Sequence, residues 1–310
     1  EEVKEVFTHV SFWIAITLAS FFLVEVICQP PKCVDVEACN VQYRGGLEDL
    51  HTLIITGLAT AFVMEFFGLV LSWRSAQNLV GVVRGIEYTF IPPVLLCACF
   101  FFLSVENLTL SKAGLIHVAV DGVGGNARPV LTATLLEWCI NVPMLMTCSG
   151  CFALSRPISE VTRPVVVTNV YIAICWWAYF ITDFWWRWFA VFVAYLMWLW
   201  VTYDRIYWII EFRKSTRPDL PARRLRIGLT IGLMKAFFWY GVVWLVAFAG
   251  FMTARQELLS YCLMDFTVKT SFLVSFVYVR SSQFYDLLVT VLANKVLTFS
   301  RTDATGPDPE

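Results

Sequence analysis

Charged residues are what this sequence has fewest of. Asp, Glu, Lys and Arg make up 15% of its 310 residues, where an average soluble domain carries roughly 25%. These charges stand mostly between apolar blocks of about 20 residues, the length that crosses a bilayer core as a helix. That pattern excludes an ordinary soluble domain. Histidine is rarer still: His9, His51 and His117 are scattered over a short end and two outer segments. A catalytic metal centre built on clustered His and Asp ligands has no material here. The run Gly122-Val123-Gly124-Gly125 lacks a phosphate-loop lysine and a strand–helix context, so it reads as a turn and not a nucleotide cradle. No internal repeat of the kind many transporters carry is visible. No signal peptide precedes the first apolar run, and the chain begins Glu-Glu and ends in a polar tail. It reads as part of something longer.

What is abundant is apolar and aromatic, at 58% and 16% of the residues, with a mean hydropathy of +0.68. The blocks predict an all-α membrane protein with eight transmembrane helices, over 8–28, 50–73, 87–104, 131–154, 165–184, 187–210, 228–251 and 257–280. Eight crossings put both termini on one side. With that side cytoplasmic, fifteen Lys and Arg fall in inner segments and six in outer ones, which is the favoured sense of insertion. The expectation is a multi-pass protein of the cell membrane with both termini in the cytoplasm. Asn107-Leu108-Thr109 is a sequon in the outer loop 105–130, open to glycosylation in this orientation. The inner segment 204–227, with seven basic residues, is expected to rest on anionic lipid head groups. Of ten Cys, seven lie in apolar segments as small buried hydrophobes. Cys28, Cys33 and Cys39 surround a polar outer loop, where one disulfide fits an extracellular setting.

The last block, Glu257 to Arg280, holds Lys269 near its middle and Asp265 one turn earlier. Residues four apart share a helix face, so amine and carboxylate look into the same space. An amine eleven residues from Arg280 lies about 16 Å from that end, too deep to reach water along its own stem. A charge there faces the bundle interior and has a partner. Such a pair either locks two helices together or holds an amine ready to bond a carbonyl compound. Two other spans bear on the choice. Glu137-Trp138, with Pro143 six residues after the glutamate, sits toward the outer half of 131–154, at the depth of Asp265. In 228–251, Phe237, Tyr240 and Trp244 fall on one face; seen alone, such a stripe is lipid-facing or plain packing.

Taken together these residues resemble the microbial-type rhodopsins. Asp265-x-x-x-Lys269 is similar to the family's seventh helix, whose lysine forms the retinal Schiff base beside a counter-ion aspartate. Glu137-Trp138 with Pro143 resembles the third helix and its primary counter-ion. Phe237-x-x-Tyr240-x-x-x-Trp244 resembles the sixth-helix aromatic wall, with Phe237 where a Trp is usual. The resemblance covers seven spans, 50–280, and is specific only in combination. It implies all-trans retinal on Lys269, Glu137 as primary and Asp265 as second counter-ion, and a pocket of Trp138, Asn141, Phe237, Tyr240 and Trp244. The extra span, with the outer loop, makes up 1–49. After Arg280 a helix-spaced stripe through Phe284, Leu288, Val291 and Val296 reads as a surface helix or a two-helix connector within 281–310.

Eight spans and a helical exit are similar to the enzymerhodopsins, light sensors fused to a cytoplasmic cyclic-nucleotide enzyme. Within them the surroundings of Lys269 look closest to rhodopsin phosphodiesterase, with rhodopsin guanylyl cyclase the near neighbour. What the resemblance implies is a light sensor regulating hydrolysis of cyclic GMP, with cyclic AMP a second substrate, by an enzyme domain this chain lacks; it also implies a homodimer. Two departures set it apart from the proton pumps of the family, which place a carboxylate eleven residues after the counter-ion and an arginine three before it. Here those positions hold Cys148 and Thr134. A stand-alone pump or channel is the alternative. A G-protein-coupled receptor is a weaker rival, because Asp204-Arg205 followed by Tyr207 falls at the sixth span and no Asn-Pro-x-x-Tyr ends the last one.

Overall fold

In a bilayer an apolar block must pair every backbone N–H and C=O within itself, and a helix does this. The computed structural model describes residues 2–28, 48–76, 90–112, 115–119, 128–216, 218, 220 and 222–304. Its helices are α1 (Glu2–Cys28), α2 (Glu48–Ala76), α3 (Ile91–Ser111), α4 (Thr132–Thr147), α5 (Ile158–Ala178), α6 (Phe184–Ser215), α7 (Arg223–Phe248) and α8 (Ala254–Ala304). All eight are long and apolar enough to span a membrane, so the chain is a multi-pass membrane protein. Cys33 and Cys39, and with them the expected pairing with Cys28, and the glycine run at 122–125 lie outside the described residues.

Neighbouring helices pack in order from α2 to α8, and α8 closes the ring against α3 and α2. α1 stands outside the ring, against α4 and α5. Between α3 and α4 an antiparallel hairpin, β1 (Ile116–Val118) with β2 (Pro129–Leu131), pairs His117 with Val130. From Thr132 to Leu154 every residue is buried except the half-buried Leu136 and Trp138. α4 is the axle of the bundle.

α4 carries a proline, and its consequences shape the centre of the bundle. Pro143 has no N–H to offer the carbonyl of Cys139. Asn169 of α5 supplies the missing donor, its Nδ2 lying 3.1 Å from that oxygen. The same Nδ2 donates to Thr17 of α1 at 2.9 Å. Beyond Thr147 the helix widens into a π turn, Cys148–Ala153, a common answer to a locally disturbed ladder. Gly150 allows that turn to seat: a Cβ there would stand 2.6 Å from Val161 and 3.3 Å from Trp208.

Two ion-pair groups tie the ends of the helices. Arg156, after the π turn, binds Glu160 at 2.5 Å and Glu211 at 2.7 Å, joining α5 to α6. Burial lowers the pKa of Arg156, but its hydrogen bonds to Glu211 and Glu160 outweigh that and leave it raised. At the other end Arg128, before β2, binds Glu257 of α8 at 2.6 Å and donates to the Ala247 carbonyl of α7.

Two expectations need correction. α3 does not end near 104 but runs to Ser111, and Asn107 is 2% exposed within it. Its Nδ2 donates to the Leu103 carbonyl at 3.0 Å and its Oδ1 meets the His51 ring at 3.3 Å, so the sequon is closed to a glycan in the folded protein. The basic segment 204–227 is also not a plain lipid-facing surface. It begins inside α6, where Arg205 is buried with its guanidinium 4.7 Å from the Phe237 ring centre, and Arg226 is buried at the start of α7.

Gly150→Ala is expected to lower the thermal midpoint of the purified protein, at an overpacking cost of roughly 1–3 kcal/mol. Arg128→Ala leaves the Glu257 carboxylate buried without its cation and is expected to cost about 3–5 kcal/mol. Adding Glu257→Gln to that variant recovers part of the loss, which thermal unfolding in detergent measures.

Candidate functional site

Lys269 projects from the middle of α8 into the ring, where it is 2% exposed. Its Nζ donates to Glu137 Oε1 of α4 at 2.6 Å and to Asp265 Oδ1 of its own helix at 2.7 Å. The spacing of four in α8 supplies one partner, and α4 supplies the other. Each acid is steadied by a neutral donor. Asn141, one turn on from Glu137, donates to the same oxygen and also to the Cys99 carbonyl of α3, at 3.1 Å. Tyr240 of α7 donates to Asp265 Oδ1 at 2.8 Å. A charge removed from water needs this density of partners to be tolerated.

The amine lines a cavity whose walls are rich in aromatic rings. Trp138 stands edge-on between Tyr240 and Tyr261, at 5.1 and 4.9 Å between ring centres. Trp244 stacks on Phe248 at 4.8 Å, and Tyr179 meets both edge-on. Every residue assigned from the sequence to the amine, its counter-ions or the pocket lines this one cavity: Glu137, Trp138, Asn141, Phe237, Tyr240, Trp244, Asp265 and Lys269. The stripe of 237, 240 and 244 therefore faces inward and not toward lipid. Tyr171, Tyr195 and Trp198, from α5 and α6, complete the wall. An apolar molecule carrying a group that bonds an amine suits such a space, since rings line it and Lys269 opens into it.

Sequence reading missed one acid. Glu106 of α3 is 7% exposed, and one oxygen each of Glu106, Glu137 and Asp265 lies within 4.8 Å of the others. The signal was present. Leu96, Cys99, Leu103 and Leu110 are a buried stripe at helical spacing, and Glu106 falls in its line. Thr134 and Cys148, where the pumps carry charged groups, are both buried, and the Thr134 hydroxyl faces Glu106.

No family model matches the sequence, and no curated protein matches it. Solved structures do match the fold. The transmembrane domain and linker region of Salpingoeca rosetta rhodopsin phosphodiesterase aligns with 99% of this chain and 93% of its own, at TM-score 0.68 and 16% identity. The transmembrane domain of the same protein aligns with 89% of this chain and 98% of its own, at 0.69 and 15%. The light-driven proton pump Coccomyxa subellipsoidea rhodopsin aligns with 74% of this chain and 93% of its own, at 0.60 and 17%. At such identities a likeness speaks for architecture, since function lives in the site and not the scaffold. In architecture, then, this chain is a microbial rhodopsin fold, seven helices closed around an inward lysine and one more helix ahead of them.

Proposed function

We propose that this chain is the retinal-binding, light-sensing membrane domain of a larger signalling protein. One observation carries the reading: a single buried amine, held at 2.6 and 2.7 Å by two carboxylates, lines an aromatic-walled cavity. When bound to Lys269, all-trans retinal supplies a photoisomerisable polyene with a cationic imine nitrogen at its end. Glu137 and Asp265 hold that positive charge in a medium where it is otherwise costly. Glu137 is the primary counter-ion and the acceptor of a proton at Oε1; Asp265 is the second carboxylate, oriented by Tyr240. Trp138, Phe237, Tyr240 and Trp244 keep water from the length of the cavity. A proton taken up by Glu137 cancels an ion pair between α4 and α8, and so shifts the balance between two packings of those helices.

A sensor is favoured over a pump because Cys148 and Thr134 leave no carboxylate donor and no arginine where the pumps of this fold have them. By the resemblance, and by the likeness to the rhodopsin phosphodiesterase domain, the regulated activity is hydrolysis of cyclic GMP, with cyclic AMP a second substrate. The excess of basic residues in one set of segments supports cytoplasmic termini, and α8 runs on through Ala304 toward that side.

Membranes holding the protein are expected to gain a visible absorption band when retinal is added, and hydroxylamine is expected to bleach it. Lys269→Ala is expected to fold and stay colourless; a band of parental size in that variant ends the proposal. Glu137→Gln removes a counter-ion and is expected to move the band to the red, read by absorption spectroscopy. A spectrum unchanged from the parent gives the primary role to Asp265.

A further inference from the structure

Glu106 has no task in the reading above, yet it stands among the acids of the site. One oxygen of each of Glu106, Glu137 and Asp265 lies within 4.8 Å of the others. Among the described residues Lys269 is the one cation bonded to this cluster. Thr134, Tyr240 and Cys262 also lie near Glu106, and none brings a positive charge. Three ionised carboxylates around one ammonium leave two uncompensated negative charges in the interior of a membrane protein. Like charges so close do not all stay ionised, and a proton is the smallest cure.

The hydrogen bonds say which acid takes it. Glu137 Oε1 receives donors from Lys269 and Asn141, and Asp265 Oδ1 from Lys269 and Tyr240. Lys269 makes no bond to Glu106. Glu106 Oε2 and Glu137 Oε2 are both buried without a hydrogen-bond partner. A proton on Glu106 Oε2 makes it a donor, and Glu137 Oε2 is an acceptor left open within the same cluster.

We propose that Glu106 is the resident proton store of this site, a neutral carboxylic acid at rest whose O–H is donated to Glu137 directly or through one water. The proposal deepens the retinal-binding reading of the same site, but its first test needs no retinal. With Glu106 neutral, Glu137 is the one base of that pair, and a proton reaching Glu137 leaves both acids filled. The balance is simple: one N–H or water O–H bond breaks, one carboxyl O–H forms, and nothing is oxidised or reduced. Glu106 acts through Glu137 and is a positioning residue.

The experiment is an infrared difference spectrum of the purified protein without retinal at neutral pH, parent minus Glu106→Gln, in ordinary and heavy water. The expected result is a carboxylic-acid C=O band in the parent that shifts down in heavy water and is absent from the variant. Its absence from the parent overturns the proposal. Glu106→Asp keeps an acid, and its band is expected to move and not vanish; it decides the question equally well if the glutamine variant does not fold. With retinal added, Glu106→Gln is expected to keep the parental absorption maximum, because a neutral group replaces a neutral one. A red shift as large as that of Glu137→Gln means that Glu106 is ionised and ends the proposal. A parent that stays colourless ends the retinal reading and leaves the infrared result standing.

Discussion

A positive charge kept far from water is the constraint that orders this molecule. An ammonium in the middle of a bilayer-spanning helix is tolerated only with acids beside it and donors behind the acids. Lys269 draws Glu137 from α4 and Asp265 from its own helix, and those draw Asn141 and Tyr240. Three helices, α4, α7 and α8, are thereby fixed in register by one nitrogen. The same cavity is lined by these polar residues and by the aromatic rings of α4 and α7.

The same logic explains why the site is over-supplied with acid. A cluster whose charge matched its cation one for one would be a rigid structural pair. Two acids beyond that match leave the cluster room to keep a proton, which a matched pair lacks. Phe237 adds a second asymmetry. The ring that closes one side of the cavity carries the buried guanidinium of Arg205 on its face, so the wall is joined to α6 by a contact that depends on ring position.

Much of this was legible in the residues. All eight spans announced themselves as apolar blocks, because a helix that faces lipid has no reason to hide charge inside. Lys269, Asp265 and Glu137 stood out because a charge inside such a block has few explanations. What failed was the end of α3. Glu106 and Asn107 look like the polar edge of a span, and hydropathy stops the helix before them. They are instead turned inward, toward the site and toward His51, and the helix runs on to Ser111. Arg205 failed for the same reason, since a basic residue near a predicted end is read as lying at a head group. Hydropathy averages over faces, and these residues are exceptions on a single face. The helical stripe would have placed Glu106, but one acid at an apparent boundary gave no cause to extend it.

The outermost helix is not a bystander to the proline in α4. One amide group, Nδ2 of Asn169, spends one hydrogen on the Cys139 carbonyl that Pro143 leaves open and the other on Thr17 of α1. That carbonyl belongs to the residue two places after Glu137. If α4 straightens or bends when the charge on Glu137 changes, the amide must follow its carbonyl and release or drag the threonine. An event at the lysine thus has an outlet at the beginning of the chain as well as at its end, and the added helix becomes a second hand on the same lever.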